Sequence, residues 1–294
     1  MKLVLGTAAF GLDYGITNKR GKIGPGESRQ LIAAAYSNGI RCYDTAQGYG
    51  DAEKTVGLAL SEIVGAQVTT KIALDTKGNK AKKANPLREK VEISLGRLGL
   101  SRLDTVLLHS FEDLINCERE ELKMWVEEIK QLGLVERFGV SVYTPEEALR
   151  CLGDMVDVVQ LPLSIYNQDA AVKGSIYHLN QENIEVQVRS VYLQGLAVAD
   201  ICQWPKWIEK EERKKHLMLM EEARKRQLSL PRLCLDFVKA TEGVDKVVVG
   251  VCSQGELVDL LDGWREENCW GGEDLRIWDF GDSLVKDPRK WPSR

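Results

Sequence analysis

Eight short segments rich in valine and leucine recur along this chain, and segments with helical spacing of apolar residues separate them. The eight segments are KLVLGT, IRCYDT, QVTTKI, DTVLLHS, RFGVSV, VDVVQLPL, EVQVRSV and KVVVGV. Apolar runs such as LVL, VLL and VVV predominate over alternation with polar residues, as expected for strands of a parallel sheet with both faces buried. Eight β-then-α units in 294 residues predict an α/β fold of the (β/α)8 TIM barrel type, forming one domain over residues 1–294.

The helical segments carry recognisable end signals. SRQLIAAAYSNG ends at Gly39, and PLREKVEISLGRLG begins at Pro86 and closes at Gly99. A doubly wound sheet is the alternative, but its first strand is normally followed by G-x-G-x-x-G. The sequence LGTAAFGLDYG does not match that pattern, so the barrel is favoured.

Two stretches are longer than a minimal barrel requires. Residues 199–216 interrupt the seventh passage from strand to helix, and a long C-terminal stretch follows Leu261. We therefore predict long mouth loops and a C-terminal extension. Such stretches either cap the mouth of the barrel, where substrate specificity usually resides, or use their tryptophans to attach loops to the outer helices. The tryptophans concerned are Trp204, Trp207, Trp264, Trp270, Trp278 and Trp291.

Composition excludes several classes of function. The net charge is −4, and basic and acidic residues are interspersed, so the sequence shows no basic patch for binding nucleic acid or an anionic membrane. No apolar run approaches the roughly 20 residues that span a bilayer, and the opening MKLVLGTAAFG is interpreted as a buried strand, not a signal peptide. Seven separated cysteines, with no C-x-x-C pair, predict neither disulfides nor zinc, which indicates the cytoplasm. No pattern distinguishes a monomer from an oligomer.

Four polar residues lie at or just after predicted strand ends. Asp44 ends the second strand, Tyr49 follows it in the loop, Lys71 closes VTTK and His109 closes TVLLH. Because the carboxyl ends of barrel strands converge on one face, all four are predicted to meet at the mouth. A nearby cation lowers the pKa of a phenol from about 10, so Tyr49 is predicted to act as a general acid. Each residue alone has an ordinary interpretation: a helix cap for Asp44, an ion pair for Lys71 and a core position for His109.

The order of the motifs adds a family resemblance over essentially the full length. LGTAAFG, YDTAQGYGDAE, TTK, LLHS, GVS, VVQLPLS and VVGV follow one another as in the aldo-keto reductases, which the chain resembles. The resemblance implies NAD(P)H-dependent reduction of an aldehyde or ketone, with hydride from nicotinamide C4 and no metal. It implies that Tyr49 donates the proton, that Lys71 lowers its pKa and pairs with Asp44, and that His109 orients the carbonyl oxygen.

The same resemblance implies a site for NADP(H) or NAD(H), with four departures, one of which is Leu260 at a position where the family usually has asparagine. Val142 stands where the family usually has asparagine, Arg189 where an aromatic residue usually stacks on the nicotinamide, and Glu256 where a basic residue often binds the 2′-phosphate. Arg189 either stacks as a planar guanidinium or turns away to pair with a phosphate or carboxylate. The choice between the two cofactors therefore stays open. The implied cofactor-binding residues are Thr7, Asp44, Ser141, Gln160, Arg189, Ser190, Gly195, Gly250, Ser253 and Glu256.

Several functional alternatives remain at this point. RSVYLQGL and DPRKW resemble a bacterial branch found among sugar and polysaccharide enzymes, which suggests a sugar-derived carbonyl, with pyridoxal as a rival substrate. A lyase or aldolase barrel could use Lys71 as a Schiff-base nucleophile, although Tyr49 and Gln160 would then have no role. A non-catalytic nicotinamide-binding subunit is the third possibility. His178 and His216 have no supporting neighbours in the sequence and are interpreted as surface or helix-packing residues.

Overall fold

The eight predicted strands form a closed parallel barrel. The computed structural model describes residues 1–74, 85–153 and 155–292. Neighbouring strands pair in chain order, and β1 closes the barrel by pairing with β8, with Leu3 opposite Val247. The predicted (β/α)8 architecture is therefore confirmed. The strands are β1 (Lys2–Gly6), β2 (Cys42–Asp44), β3 (Gln67–Ile72), β4 (Leu103–Leu108), β5 (Val135–Ser141), β6 (Val158–Pro162), β7 (Glu185–Arg189) and β8 (Lys246–Gly250).

Helices follow the strands and surround the barrel. They are α1 (Pro25–Ser37), α2 (Ala52–Leu60), α3 (Pro86–Leu98), α4 (Phe111–Asn116), α5 (Arg119–Gln131), α6 (Pro145–Leu149), α7 (Asp169–Val172), α8 (Ser175–Gln181), α9 (Lys210–Arg226), α10 (Leu230–Ala240) and α11 (Gln254–Arg265).

The ends of these helices follow the sequence signals closely. Helix α3 begins at Pro86, and the Asn85 side chain before it accepts a hydrogen bond from the Arg88 backbone N–H. It closes at Gly99, whose φ of 65° is a left-handed conformation that glycine adopts at little cost. Helix α1 differs slightly from the prediction, because it begins at Pro25, three residues before SRQLIAAAYSNG.

The amino end of the barrel interior holds four charged side chains, which we call the basal ion cluster: Asp104, Arg137, Glu185 and Lys246. Arg137 contacts both carboxylates, at 2.5 Å from Asp104 and in an ion pair with Glu185. The Lys246 Nζ lies 3.2 Å from Glu185 and 3.7 Å from Asp104. Two cations and two anions thus balance one another inside the barrel, where an unpaired charge would be costly.

The two predicted excursions are both present. Between β7 and α9 the chain forms two 3₁₀ turns, Leu193–Val198 and Ile201–Gln203. After α11 it continues as an extension with three further 3₁₀ turns, Leu275–Trp278, Leu284–Lys286 and Pro288–Lys290. The extension reaches the loop that follows β6, where the Phe280 backbone N–H donates to the Tyr166 carbonyl at 3.0 Å. It therefore lies against the carboxyl-end face of the barrel.

An aromatic cluster joins these excursions to helix α9. His216 is fully buried, with Nδ1 2.6 Å from the Tyr166 hydroxyl and Nε2 2.8 Å from the Ala199 carbonyl. Phe280 stacks on Tyr166, and Trp204 stacks on His216. His216 thus packs a helix, as predicted, but the prediction that it has no supporting neighbours is wrong. His178 lies exposed on α8.

Most of the excursion tryptophans attach segments to outer helices or to each other. Trp204 packs against α9 through His216, and Trp270 donates to the Leu233 carbonyl of α10 at 3.0 Å. Trp207 packs against Trp291. These contacts favour the alternative in which the tryptophans attach the loops to the body of the barrel over the one in which they cap its mouth. Within the described residues, we find no helix with both the length and the apolar composition needed to cross a membrane.

Candidate active site

A buried ion pair lies at the centre of the barrel mouth. Asp44 ends β2, and Lys71 lies on the neighbouring strand β3. The Lys71 Nζ forms an ion pair with Asp44 Oδ1, and their side chains are 1% and 4% exposed, respectively. Burial lowers the pKa of Lys71, while the charge and hydrogen bond of Asp44 oppose that shift. Each charge compensates the other in a place where either alone would be strongly unfavourable.

Tyr49 and His109 lie directly above this pair. The two rings contact edge to face, with 5.8 Å between centroids and 82° between planes. The Lys71 Nζ lies 5.3 Å from the centroid of the Tyr49 ring. The His109 backbone N–H donates to the Ile72 carbonyl at 2.8 Å, which fixes the start of the loop after β4. The structure therefore brings together all four residues singled out from the sequence.

The electrostatics of Tyr49 differ from the prediction. Burial raises the pKa of Tyr49 above its ordinary value of 10, the negative charge of Asp44 raises it further, and Arg189 opposes the shift. The net shift of this pKa is therefore opposite in direction to the lowering expected from Lys71, chiefly because the ring is buried. Burial, followed by the positive charges of Lys71 and Arg189, lowers the pKa of His109 to about 4. Near pH 7 the tyrosine is a neutral phenol and the histidine a neutral imidazole.

A cavity of about 360 Å³ opens beside Tyr49 and Asp44. Its walls come from the loops that follow β1, β7 and β8. Parallel strands in a barrel bring such loops to one face, which is where ligands bind in this architecture. Seven of the ten residues expected to contact a cofactor line the cavity: Thr7, Asp44, Arg189, Ser190, Gly195, Gly250 and Glu256.

The other three expected residues, Ser141, Gln160 and Ser253, are not among the lining residues. Ser253 caps α11, where its side chain accepts from the Glu256 backbone N–H. Gln160 is fully buried below Asp44, and its Nε2 donates to Asp44 Oδ2 at 2.8 Å. Ser141 is the neighbour of Gln160 across the pairing of β5 and β6.

One polar atom in this region calls for a ligand. In the described part of the chain, the buried Gln160 Oε1 has no hydrogen-bond partner. Leaving such an acceptor unsatisfied costs about 1–3 kcal/mol. A nicotinamide carboxamide carries an NH2 donor that would satisfy it. The residues present therefore fit a nicotinamide cofactor at this point of the site.

Sequence reasoning included Thr7 at the start of the loop between β1 and α1, but it missed the later part of that loop. Its residues Tyr14, Thr17, Asn18, Lys19 and Arg20 form one wall of the cavity. The Ile16 backbone N–H donates to the Gln194 carbonyl at 2.9 Å, so this loop touches the one after β7 across the cavity. The loop has no hydrophobic periodicity, and its glycine and asparagine residues indicate only a turn.

Arg189 contributes a positive charge to the same cavity. Its guanidinium lies over the Tyr143 ring, with Cζ 4.2 Å from the centroid, and donates to the Val142 carbonyl at 3.0 Å. Among the described residues, no carboxylate lies within ion-pair distance of it. Since Lys71 and Asp44 cancel, Arg189 leaves the wall around Tyr49 with a net positive charge.

Comparisons with known proteins decide the family. The sequence pattern described as the Aldo/keto reductase family matches residues 2–267. This chain belongs to that family. It is therefore an oxidoreductase for carbonyl compounds that uses NADH or NADPH, and neither the lyase nor the non-catalytic alternative is favoured. The extension after residue 267 lies outside the matched region.

Individual relatives agree with this assignment. The chain is 27% identical over 267 residues to an NADH-specific methylglyoxal reductase of Escherichia coli K12, covering 79% of this chain and 77% of the relative. It is 32% identical over 172 residues to an aldo-keto reductase of Mycobacterium ulcerans, covering 52% of this chain and 54% of the relative. A solved aldo-keto reductase from Bacillus halodurans has the same fold, with a TM-score of 0.72, 21% identity, and coverage of 94% and 90%.

Proposed function

We propose that this protein reduces an aldehyde or ketone to an alcohol, with Tyr49 as the proton donor. The observation that carries this proposal is the convergence of Tyr49 and His109 on the buried Lys71–Asp44 pair, at the edge of the cavity. A phenol, an imidazole and a buried ion pair in one mouth supply the groups that carbonyl reduction needs.

Each side chain has a distinct part in this proposal. Tyr49, protonated at neutral pH, donates a hydrogen bond to the carbonyl oxygen and transfers its proton as that oxygen becomes an alkoxide. The neutral His109 donates its single N–H to the same oxygen and so fixes its position. Lys71 remains a charged ammonium beside the phenolate that forms, and Asp44 keeps that ammonium in place.

The wall of the cavity would hold the cofactor. A reduced nicotinamide, when bound, supplies the hydride that adds to the carbonyl carbon. We propose that Thr7, Ser141 and Gln160 lie near its nicotinamide end, with Gln160 Oε1 accepting from the carboxamide. Gly250, Ser253 and Glu256 would lie near its adenosine end, with the β7 residues Arg189, Ser190 and Gly195 between.

We propose that NADH is bound at least as well as NADPH. Glu256 lines the cavity, and its Oε2 accepts from the Cys252 backbone N–H at 2.7 Å. A carboxylate held in that position repels a 2′-phosphate. The NADH-specific name of the Escherichia coli relative supports the same preference.

For the substrate we propose a small aldehyde or ketone derived from a sugar. The methylglyoxal reductase among the relatives supports a small carbonyl compound. The Schiff-base alternative is disfavoured because the Lys71 ammonium is engaged by Asp44 and, at 3.4 Å, by the Thr45 carbonyl. We further propose that residues 1–294 act as one barrel unit in the cytoplasm, where the seven free cysteines would remain reduced.

Replacing Tyr49 with Phe tests the proposal directly. The variant keeps the ring and removes the acid, so turnover should fall by about 10²- to 10⁴-fold. A panel of small aldehydes and ketones is assayed with NADH and NADPH in parallel, and cofactor affinity is measured by fluorescence. Loss of turnover with cofactor affinity nearly unchanged supports the role of Tyr49. Full activity in Tyr49→Phe rejects it.

A further inference from the structure

A chain of hydrogen bonds runs through the barrel from the mouth to the basal ion cluster. Gln160 Nε2 donates both to Asp44 Oδ2 at 2.8 Å and to Gln187 Oε1 at 3.2 Å. Gln187 Nε2 in turn donates to Glu185 Oε1 at 2.8 Å. Glu185 also contacts the Lys246 ammonium at 3.2 Å. Gln160 and Gln187 are both fully or almost fully buried and are direct neighbours across β6 and β7.

The charges at the two ends fix the orientation of both amides. Ionised carboxylates accept hydrogen bonds and do not donate them. Glu185 therefore requires the NH2 group of Gln187, which leaves the carbonyl oxygen of Gln187 to face Gln160. Asp44 likewise requires the NH2 group of Gln160. The two amides can satisfy both carboxylates in only one arrangement.

This arrangement determines where the free acceptor of Gln160 points. Both N–H bonds of its NH2 group are used, one by Asp44 and one by Gln187. Two fixed acceptors define the plane of the amide, and Oε1 is left as the buried atom without a partner in the described part of the chain. With Asp44 alone, the amide could rotate about that single hydrogen bond.

We propose that Gln187, held by Glu185, is a positioning residue that aims the Gln160 oxygen at the carboxamide of the cofactor. This inference rests on the proposed function, since it needs a nicotinamide in the cavity. It assigns a role in cofactor recognition to residues that do not line the cavity. It also links the ion cluster at the opposite end of the barrel to the mouth.

The test compares NADH with reduced 3-acetylpyridine adenine dinucleotide, in which a methyl group replaces the carboxamide NH2. Dissociation constants are measured from quenching of tryptophan fluorescence. In the wild type, we expect NADH to bind about 3- to 10-fold more tightly, the usual net effect of one neutral hydrogen bond. In Gln187→Met, which keeps the length and removes the acceptor, this ratio should fall to within about 2-fold of unity.

Two further variants separate positioning from general damage. Gln187→Asn is too short to reach both Gln160 and Glu185, so it should lower the ratio as Gln187→Met does. It replaces the methionine variant in the test if that variant fails to fold. Gln67→Met, the same change in a strand residue outside this chain of hydrogen bonds, should leave the ratio unchanged.

The outcomes distinguish this inference from the function on which it rests. A wild-type ratio in Gln187→Met or Gln187→Asn overturns the positioning role. A ratio lowered equally in Gln67→Met overturns it as well, because the loss would then follow from any such change in a barrel strand. If the wild type binds neither NADH nor NADPH, the proposed function itself is wrong and this inference fails with it.

Discussion

Replacing Lys71 with methionine tests whether the buried charges at the barrel mouth are balanced as a pair. The Lys71 side chain is 1% exposed and that of Asp44 is 4% exposed, so the variant leaves a carboxylate without its counter-ion in the interior. Removing one partner of a buried pair costs about 3–5 kcal/mol. Because Gln160 Nε2 still donates to Asp44 at 2.8 Å, we expect the lower end, about 3 kcal/mol.

The double variant Lys71→Met/Asp44→Asn should recover most of this loss. It removes both charges together, and replacing a buried pair by neutral residues is often close to neutral in stability. Although it carries two substitutions, we expect the free energy of unfolding of the double variant to lie within about 1–2 kcal/mol of the wild-type value. Urea unfolding at pH 7 measures all three proteins. Lys173→Met is the matched control, since its ion pair with Glu146 is exposed and should contribute less than about 1 kcal/mol.

The same variants report on the acidity of Tyr49. Without Lys71, the charge of Asp44 is uncompensated and should raise the pKa of Tyr49 further. Residual alcohol oxidation, which needs the phenolate as a base, should then shift to higher pH. In the double variant this shift should largely disappear. Charge balance is refuted if the double variant is as unstable as Lys71→Met, or if its pH profile is shifted just as far.

Three other substitutions test single features of the site. Glu256→Arg should tighten NADPH binding by about 1–3 kcal/mol and have little effect on NADH binding. If the wild type already prefers NADPH strongly and the variant keeps that preference, another residue contacts the phosphate. Arg189→Tyr should reduce the difference in binding free energy between reduced and oxidised cofactor by about 1 kcal/mol, because the Arg189 cation repels the positively charged oxidised nicotinamide. An unchanged ratio of the two dissociation constants rejects that reasoning. His109→Asn should reduce the loss of folding stability on acidification. The pKa of His109 is about 4 in the folded state and 6.5 in the unfolded state, so the neutral histidine contributes its full stability above pH 6.5. That contribution is lost as the pH falls from 6.5 toward 4. Equal acid sensitivity in both proteins, measured by urea unfolding, would contradict it.

The fold and the four central residues could be predicted because both follow from short-range patterns. Continuous apolar runs mark buried parallel strands, and the closed topology then brings Asp44, Lys71 and His109 to one face regardless of loop detail. The pKa of Tyr49 could not be predicted in this way. It depends on how completely Asp44 balances Lys71 and on how deeply the ring is buried, which only coordinates show.

Contacts between segments that are distant in the chain could not be predicted from the sequence either. Gln187 and Glu185 look like ordinary polar residues in a strand, and nothing local pairs them with Gln160 or Lys246. The loop after β1 reaches the cavity because of its path, not its composition. His216 lacks neighbours in sequence but has Tyr166 in space, because residues 50 apart meet at the aromatic cluster.

The way the C-terminal extension attaches has a consequence for the order of folding. Its contacts with the loop after β6 join residues far apart in the chain: Asp279 accepts from the Gln168 backbone N–H across 111 positions, and Lys286 accepts from Asn167 across 119. Contacts of such long range close large loops and form later than neighbouring β–α units. We therefore expect neighbouring β–α units to form first, and both the pairing of β1 with β8 and the docking of the extension at the mouth to follow in slower steps. Refolding followed through Trp204, which lies in the aromatic cluster, should lag behind refolding followed by backbone circular dichroism.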